Sequence, residues 1–408
     1  MKLPQEALDL PADEVRCRLD AAHGGRGSGW MWPEVDEADW HSAQRALADV
    51  AAATLGGRPA PELRGEPRAL AVAGYTSGIG PLIGHWIERD AISAEPDAAA
   101  LFELQLRHNR LRSARLRSEA LAAVSLLHGA GIEPTVLKGI HTGFDHFPEP
   151  GARPCSDIDL LVPGHLFGAA EAAMQRSGYL PGRSERIPIQ RAWRRPDGPA
   201  QVRSLSLVHA DDPWAVDLQG SLDRKFAPSS VARLQGLADR RPRARWSQDP
   251  GAAVLAQPLL AIHLASHASN GLQSLNLLRL VEIVLVLRRE PVDWRELVEA
   301  AADIDALGFL YPAFGLAEQL VPGTVPQEVI AACAAEAPAA VRAVVADHDP
   351  SSIHRVARLS SRESLMWCRT RRSRLAVLLL PGVAGGTRAA IAFYRRRLRI
   401  ALTLLRGG

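Results

Sequence analysis

Asp157 and Asp159 stand at alternate positions of Ser-Asp-Ile-Asp-Leu-Leu-Val (156–162). Side chains alternate across a strand, so the two carboxylates and Leu161 share one face, and Ile158, Leu160 and Val162 share the other. With the apolar face in the core, the carboxylates sit about 7 Å apart on an accessible face. Like charges this close raise each other's proton affinity unless a cation neutralises them. Mg²⁺ (or Mn²⁺) suits such a pair, because it favours carboxylate and water oxygens and keeps positions for substrate phosphates. Two such ions can clamp the attacking and leaving oxygens of an in-line phosphoryl or nucleotidyl transfer.

An Asp-x-Asp sequence alone is common, and its neighbours give it weight. Lys138-Gly139 closes an apolar run beginning at Ile132. A lysine there can reach phosphate, and a glycine lets the backbone approach a ligand. Arg153 precedes the pair and can bridge phosphate oxygens with its planar fork. A third carboxylate comes from Trp214-Ala-Val-Asp217-Leu-Gln219, where Val216 and Leu218 turn inward and Asp217 and Gln219 outward.

The order Leu-Lys-Gly, Pro-x-Pro-Gly-x-Arg, Asp-x-Asp-Leu-Leu-Val, then Ser177-Gly178-Tyr179 closing a helix, then a strand with Asp-Leu, resembles the uncharacterised nucleotidyltransferase family of the DNA polymerase β superfamily. Ala261-Ile-His263-Leu-Ala, Leu277-Leu-Arg279-Leu-Val-Glu282 and Val292-Asp-Trp-Arg-Glu-Leu297 are similar to its helical C-terminal portion, so the resemblance covers about residues 96–325. It implies a metal-dependent transfer of NMP from an NTP, with Asp157, Asp159 and Asp217 as catalytic metal ligands and Lys138, Gly139, Arg153 and Arg279 on the nucleotide. The chain departs from the superfamily in two places. Lys138-Gly139-Ile140 replaces the usual Gly-Ser, removing a phosphate-binding hydroxyl, and Gln219-Gly220 follows Asp217 where many relatives have histidine.

The whole chain sets outer bounds. Its 408 residues suggest two or three domains, and 47% hydrophobic with 23% charged residues is ordinary for a globular core. A net charge of +3 does not by itself indicate a nucleic-acid binder. The four cysteines form no Cys-x-x-Cys pair, which fits a reducing cytoplasm. The N-terminus lacks a signal-peptide pattern, and the apolar run Leu375–Leu380 is too short to span a bilayer. Abundant Ala, Arg, Gly and Pro with little Lys matches a high-GC bacterial genome.

Taken in order, residues 1–95 read as a variable helical region, with His23–Gly29 a loop, Glu37–Ala53 helical and Pro81 opening a short helix rather than a phosphate loop. Residues 96–245 read as the nucleotidyltransferase core. There a long helix runs from Pro96 to Ala130, with Leu101, Leu104, Leu111, Leu121, Val124 and Leu127 inward and the arginines of 107–117 on its wet face. Residues 183–200 loop over the site, Val202–His209 forms a hairpin with the Asp217 strand, and Asp223 and Arg224 solvate a loop. From 250 to 320 the pattern is helical, within a bundle assigned to 246–325. In it His263 and His267 share a face, and Arg279 serves phosphates or pairs with Glu282. Residues 326–408 form a basic helical region in which Arg369, Arg371, Arg372, Arg374, Arg388, Arg395, Arg396, Arg397 and Arg399 offer an anionic partner a surface.

The expected fold is α+β: a polymerase β-like mixed sheet flanked by N-terminal helices and a C-terminal helical bundle. The expected reaction moves an NMP from an NTP to an acceptor hydroxyl on a protein, peptide or small molecule, releasing pyrophosphate. The alternatives are an inactive module that binds NTP, peptide or RNA, and a tailoring enzyme of a peptide natural-product pathway.

Overall fold

The computed structural model describes residues 10–21, 31–186, 189–227, 230–272, 275–348 and 360–379. The His23–Gly29 stretch and the arginines from 388 onward lie outside the described residues.

A seven-stranded mixed sheet carries the fold, in the order β3-β4-β5-β2-β1-β9-β8. Its members are β1 (Thr135–Val136), β2 (Asp157–Leu161), β3 (Leu180–Arg186), β4 (Ile189–Arg194), β5 (Ala215–Gln219), β8 (Arg243–Trp246) and β9 (Asp249–Leu255); β6 (Arg224–Ala227) and β7 (Ser230–Ala232) form a separate hairpin. β2 runs parallel to β5, and β1 parallel to β9. The remaining pairs in the sheet are antiparallel. The expected α+β class holds, with helices on both sides of the sheet.

The two faces of the sheet belong to different cores. Ile158, Leu160, Val216 and Leu218 pack with Leu116, Ala120, Val124 and Leu127 of the 34-residue helix Pro96–Gly129 and with Met174 of Phe167–Arg176. Leu137, Leu161 and Leu255 join the core of the C-terminal helices Leu259–Ser269, Leu277–Arg289 and Leu307–Leu320. The carboxylate face therefore looks toward the bundle.

Gly78-Ile-Gly80-Pro, which invites a phosphate-loop reading, has a packing reason. A Cβ at Gly80 would lie 1.6 Å from Gln105 Oε1, and one at Gly84 2.3 Å from the Phe102 carbonyl oxygen. These glycines let Gly80–Glu88 press against the long helix.

Four local expectations are corrected. Val202–His209 is no strand, because side chains meet its backbone: Trp32 Nε1 donates to the Leu205 carbonyl, Gln105 Nε2 to that of Ser206, and the Asp212 carboxylate accepts from the amides of Arg203 and His209. The partner of the Asp217 strand is instead β4, so the Arg- and Pro-rich 183–200 stretch contributes strands rather than a loop over the site. Residues 250–255, expected to be helical, lie in β9 inside the sheet.

The fourth concerns the long helix. Leu111 is 54% exposed and Arg112 1%. The Arg112 guanidinium donates to the carbonyls of Cys155 (2.8 Å), Asp212 (2.6 Å) and Pro213 (3.0 Å). Arg110 and Arg115 pair with Glu88, Glu149 and Asp211. Arg112 is thus buried structure rather than part of the wet face, on which Arg107 and Arg115 remain.

Candidate active site

Strand register assembles the carboxylates. In the parallel β2–β5 pair Asp159 lies opposite Asp217 and Asp157 opposite Ala215, so all three acids point from one face of two neighbouring strands. Ligand oxygens of Asp157, Asp159 and Asp217 all lie within 4.8 Å of one another. Oxygen donors in this number suit a hard divalent cation. Burial and the neighbouring Asp159 charge push the Asp157 carboxyl up to about 6, the response expected of acids crowded together.

Each acid is held by neighbours. Lys138 Nζ donates to Asp159 Oδ1 at 2.8 Å, and Gln219 Nε2 to the same oxygen at 2.6 Å. Gln190 Nε2, from β4, donates to Asp217 Oδ2 at 2.9 Å. Ser156 Oγ approaches Asp157 Oδ1 at 3.3 Å. Ala192, opposite Asp217 in the β4–β5 register, is small and leaves that carboxylate room. Asp159 is only 4% exposed, so its side is less accessible than strand alternation alone implies.

Lys138 opens the helix Lys138–Asp145 instead of ending a strand, with φ at +41°. A non-glycine residue in that region stores backbone strain of the kind found at functional sites. Its ammonium rests on Asp159.

Gly139 and Arg153 sit together. A Cβ at Gly139 would come within 2.6 Å of Cys155 Sγ and 2.7 Å of Arg153 Nη1, so the approach this glycine permits is that of Arg153. The Arg153 guanidinium is buried and meets Glu282 from Nε (3.0 Å) and Nη2 (2.8 Å). Burial opposes its charge, yet the Glu282 carboxylate outweighs that and raises its proton affinity. Thr142 Oγ1 also donates to Glu282. The partners of Glu282 are thus Arg153 and Thr142, where the sequence suggested Arg279.

Beyond the acids lie residues whose roles the sequence did not reveal. Arg224, expected in a solvated loop, is buried at the start of β6. His263 and His267 stack with ring centroids 6.4 Å apart and an interplanar angle of 10°. Burial drives both imidazoles well below their usual proton affinity, and the charges of Lys138 and Arg224 act on both. Arg279 adds its charge at His267. The signals available in the sequence were the four-residue histidine spacing and, for Gln190, the alternation Gln190-Arg-Ala192-Trp193, whose Trp193 is buried on the opposite face.

A mixed sheet with an acidic triad on two parallel strands, backed by helices, is the architecture of a nucleotidyltransferase. The chain belongs to the family described as uncharacterised nucleotidyltransferase, whose model matches residues 66–322. That match begins upstream of residue 96, where the sequence resemblance started. The chain is also similar to a protein named asparagine synthetase [glutamine-hydrolyzing] 2 of Lotus japonicus, 27% identical over 176 residues. The shared segment covers 40% of this chain and 27% of that protein. No solved structure matches.

Proposed function

We propose that this protein transfers a nucleoside monophosphate from an NTP to an acceptor hydroxyl and releases pyrophosphate. The observation that carries the reading is the convergence of Asp157, Asp159 and Asp217 on one face of β2 and β5. These three residues would hold Mg²⁺ or Mn²⁺, which supplies charge neutralisation for the attacking and leaving oxygens. Asp217, held by Gln190, would accept the acceptor's proton. The acceptor oxygen then bonds to the α-phosphorus as the bond to the bridging oxygen of the β-phosphate breaks. The electron pair of that bond leaves with pyrophosphate.

Lys138 balances charge between Asp159 and the phosphates, and Gln219 fixes the Asp159 carboxylate so that its other oxygen faces a ligand. Arg279 contributes positive charge from the bundle side. Arg153 and Gly139 act one layer behind: the Arg153–Glu282 ion pair joins the segment preceding Asp157 to the bundle helix that carries Arg279. Among the described residues no helix is long and apolar enough to cross a membrane. The four free cysteines, three of them buried, support placing the protein in a reducing compartment such as the bacterial cytoplasm. Arg369, within the basic region proposed for an anionic partner, pairs with Asp305.

The test is incubation of the full chain with each α-³²P NTP and Mg²⁺ or Mn²⁺, with and without cell extract. Label on an acceptor with stoichiometric pyrophosphate, lost in Asp159→Asn, is expected. Transfer that persists in Asp159→Asn would overturn the proposal. Metal-dependent NTP binding without transfer would favour the non-catalytic module instead.

A further inference from the structure

Past Asp217 the acid face of the sheet continues outward on residues too small to cover it. Ala192 of β4 lies opposite Asp217, and Ala215 of β5 lies opposite Asp157. In β3 the register slips between Pro181 and Ser184. A Cβ at Gly182 would have Ala192 as its nearest neighbour, with the carbonyl oxygen at 3.1 Å and Cβ at 3.4 Å. Gly182 and the Ala192 side chain thus share a face. It is the face of Asp217, because directly paired residues on neighbouring strands point the same way. The opposite face of these strands is closed: Trp193 is buried in the core with Leu116 and Met174, and Arg191 pairs with Glu171 of the helix Phe167–Arg176.

Strand alternation puts Gln190 and Arg194 on the same face as Ala192, one to either side of it. The hydrogen bond from Gln190 to Asp217 bears out that direction. Arg194 is exposed, as is Leu180, its register partner in β3. The arginines near it are engaged, Arg191 with Glu171 and Arg195 with Glu119, whereas Arg194 has no ion pair among the described residues. It is the diagonal neighbour of Asp217, about 7–8 Å away between backbones. An exposed cation therefore stands beside the acids across a floor of alanine and glycine. The direction of the reaction decides which reactant comes there. In an in-line displacement the attacking and leaving oxygens lie on opposite sides of the phosphorus. Lys138, assigned above to the phosphates, follows β1 on one side of the two acid-bearing strands, and β4 lies on the other. The open floor is thus on the attacking side.

We propose that the acceptor lies over Ala192, Ala215 and Gly182 and that it is an anionic hydroxyl compound, whose carboxylate or phosphate is held by Arg194. This rests on the transfer reaction proposed above. The hydroxyl meets Asp217, and the anion meets the planar guanidinium fork, which matches the oxygens of either group. Leu180 gives the carbon skeleton an apolar rim at the outer edge of the sheet. Arg194 selects the acceptor by charge, and the small side chains select it by leaving room. An uncharged alcohol fills the same floor without the ion pair.

The experiment places a thiol on the floor with Ala192→Cys in the full chain, with Cys17→Ser removing the exposed native thiol. The introduced thiol is expected to react with anionic sulfonatoethyl methanethiosulfonate. Arg194→Gln should lower that rate, relative to neutral methyl methanethiosulfonate, by about threefold or more at low salt. The blocked protein should bind NTP with Mn²⁺ as the parent does and lose label transfer. Protection of the thiol by inorganic phosphate and by acetate separates the two anions: stronger protection by phosphate assigns the acceptor a phosphate group, and stronger protection by acetate a carboxylate. An unreactive thiol in a folded protein, a rate ratio unmoved by Arg194→Gln, or protection by neither anion would overturn the site while leaving nucleotidyl transfer standing. Loss of NTP binding on blocking would overturn it too, by giving the floor to the nucleotide. The expected reactivity in a protein that never transfers label would keep the anion site and remove the reaction.

Discussion

Among the described residues, two clusters bring three metal-competent side chains together: Asp157, Asp159 and Asp217 on the sheet, and His85, Glu88 and Glu149 between N-terminal helices. Their surroundings separate them. Arg110 runs through the second cluster, donating to Glu149 from Nε and Nη2 and to Glu88 from both terminal nitrogens, while His85 Nδ1 lies 3.1 Å from Glu149. A bidentate guanidinium already supplies the charge a metal would bring, so that cluster fastens two helices and the Pro148–Gly151 turn. In the sheet cluster Lys138 pairs with Asp159, and burial and the neighbouring acids push Asp157 toward protonation. Proximity of acids alone does not mark a site; the two clusters differ in whether a bidentate guanidinium ties the carboxylates together.

The largest test of this contrast is Asp159→Asn. We expect it to lower label transfer by at least about a thousandfold, since charge stabilisation at the reacting phosphate is among the largest catalytic terms, while thermal unfolding stays near that of the parent. Glu149→Gln should do the opposite, lowering thermal stability with Mn²⁺ binding by electron paramagnetic resonance unchanged. Exchange of these two outcomes would reverse the assignment of the clusters.

Arg112→Met comes next, because it strips donors from three buried carbonyls beside β2 and β5. A loss on the order of 3 kcal/mol is expected in urea unfolding, together with weaker Mn²⁺ binding as the strands lose alignment. A smaller effect is predicted from Asp157. Its folded proton affinity lies above the unfolded value, so its contribution to stability is complete below about pH 4 and lost as pH rises through about 6. In EDTA, Asp157→Asn should therefore be more stable than the parent at pH 8 by about 1–3 kcal/mol, with the gap closing at pH 4. An equal difference at both pH values would show that Asp157 is not crowded by its neighbours.

Lys138→Met sharpens the comparison further. Without the ammonium on Asp159, the metal-free triad carries more unbalanced charge, so Mn²⁺ should bind several-fold more tightly even as transfer slows. Unchanged Mn²⁺ affinity would mean that Lys138 does not share Asp159 with the ion. The smallest effect is expected from Glu88→Gln at the rim of the arginine cluster, under about 1 kcal/mol, in keeping with partly exposed ion pairs.

Much of this site was legible in the sequence because its parts are local. Alternation alone gave the faces of β2 and β5, and helical spacing gave the Pro96–Gly129 helix that backs them. What stayed hidden was set by partners distant in the chain. The Arg153 fork reads as a phosphate ligand until Glu282 arrives from the bundle. Arg112 reads as wet until loop carbonyls close over it. Val202–His209 alternates like a strand, but side chains from elsewhere claim its amides and carbonyls. β4 was masked by its arginines, of which Arg191 pairs with Glu171 from the helix Phe167–Arg176 and Arg194 is exposed.

The Arg112 contacts also bear on what can be cut from this protein. The guanidinium reaches the entry points of both acid-bearing strands from a helix that ends before the sheet begins. That helix is seated in turn by the close approach of Gly80 and Gly84. A fragment trimmed to the sheet and bundle would keep every acid yet lose the brace that aligns them. The smallest excisable working unit must therefore start upstream of Gly80, in agreement with a family match that opens at residue 66.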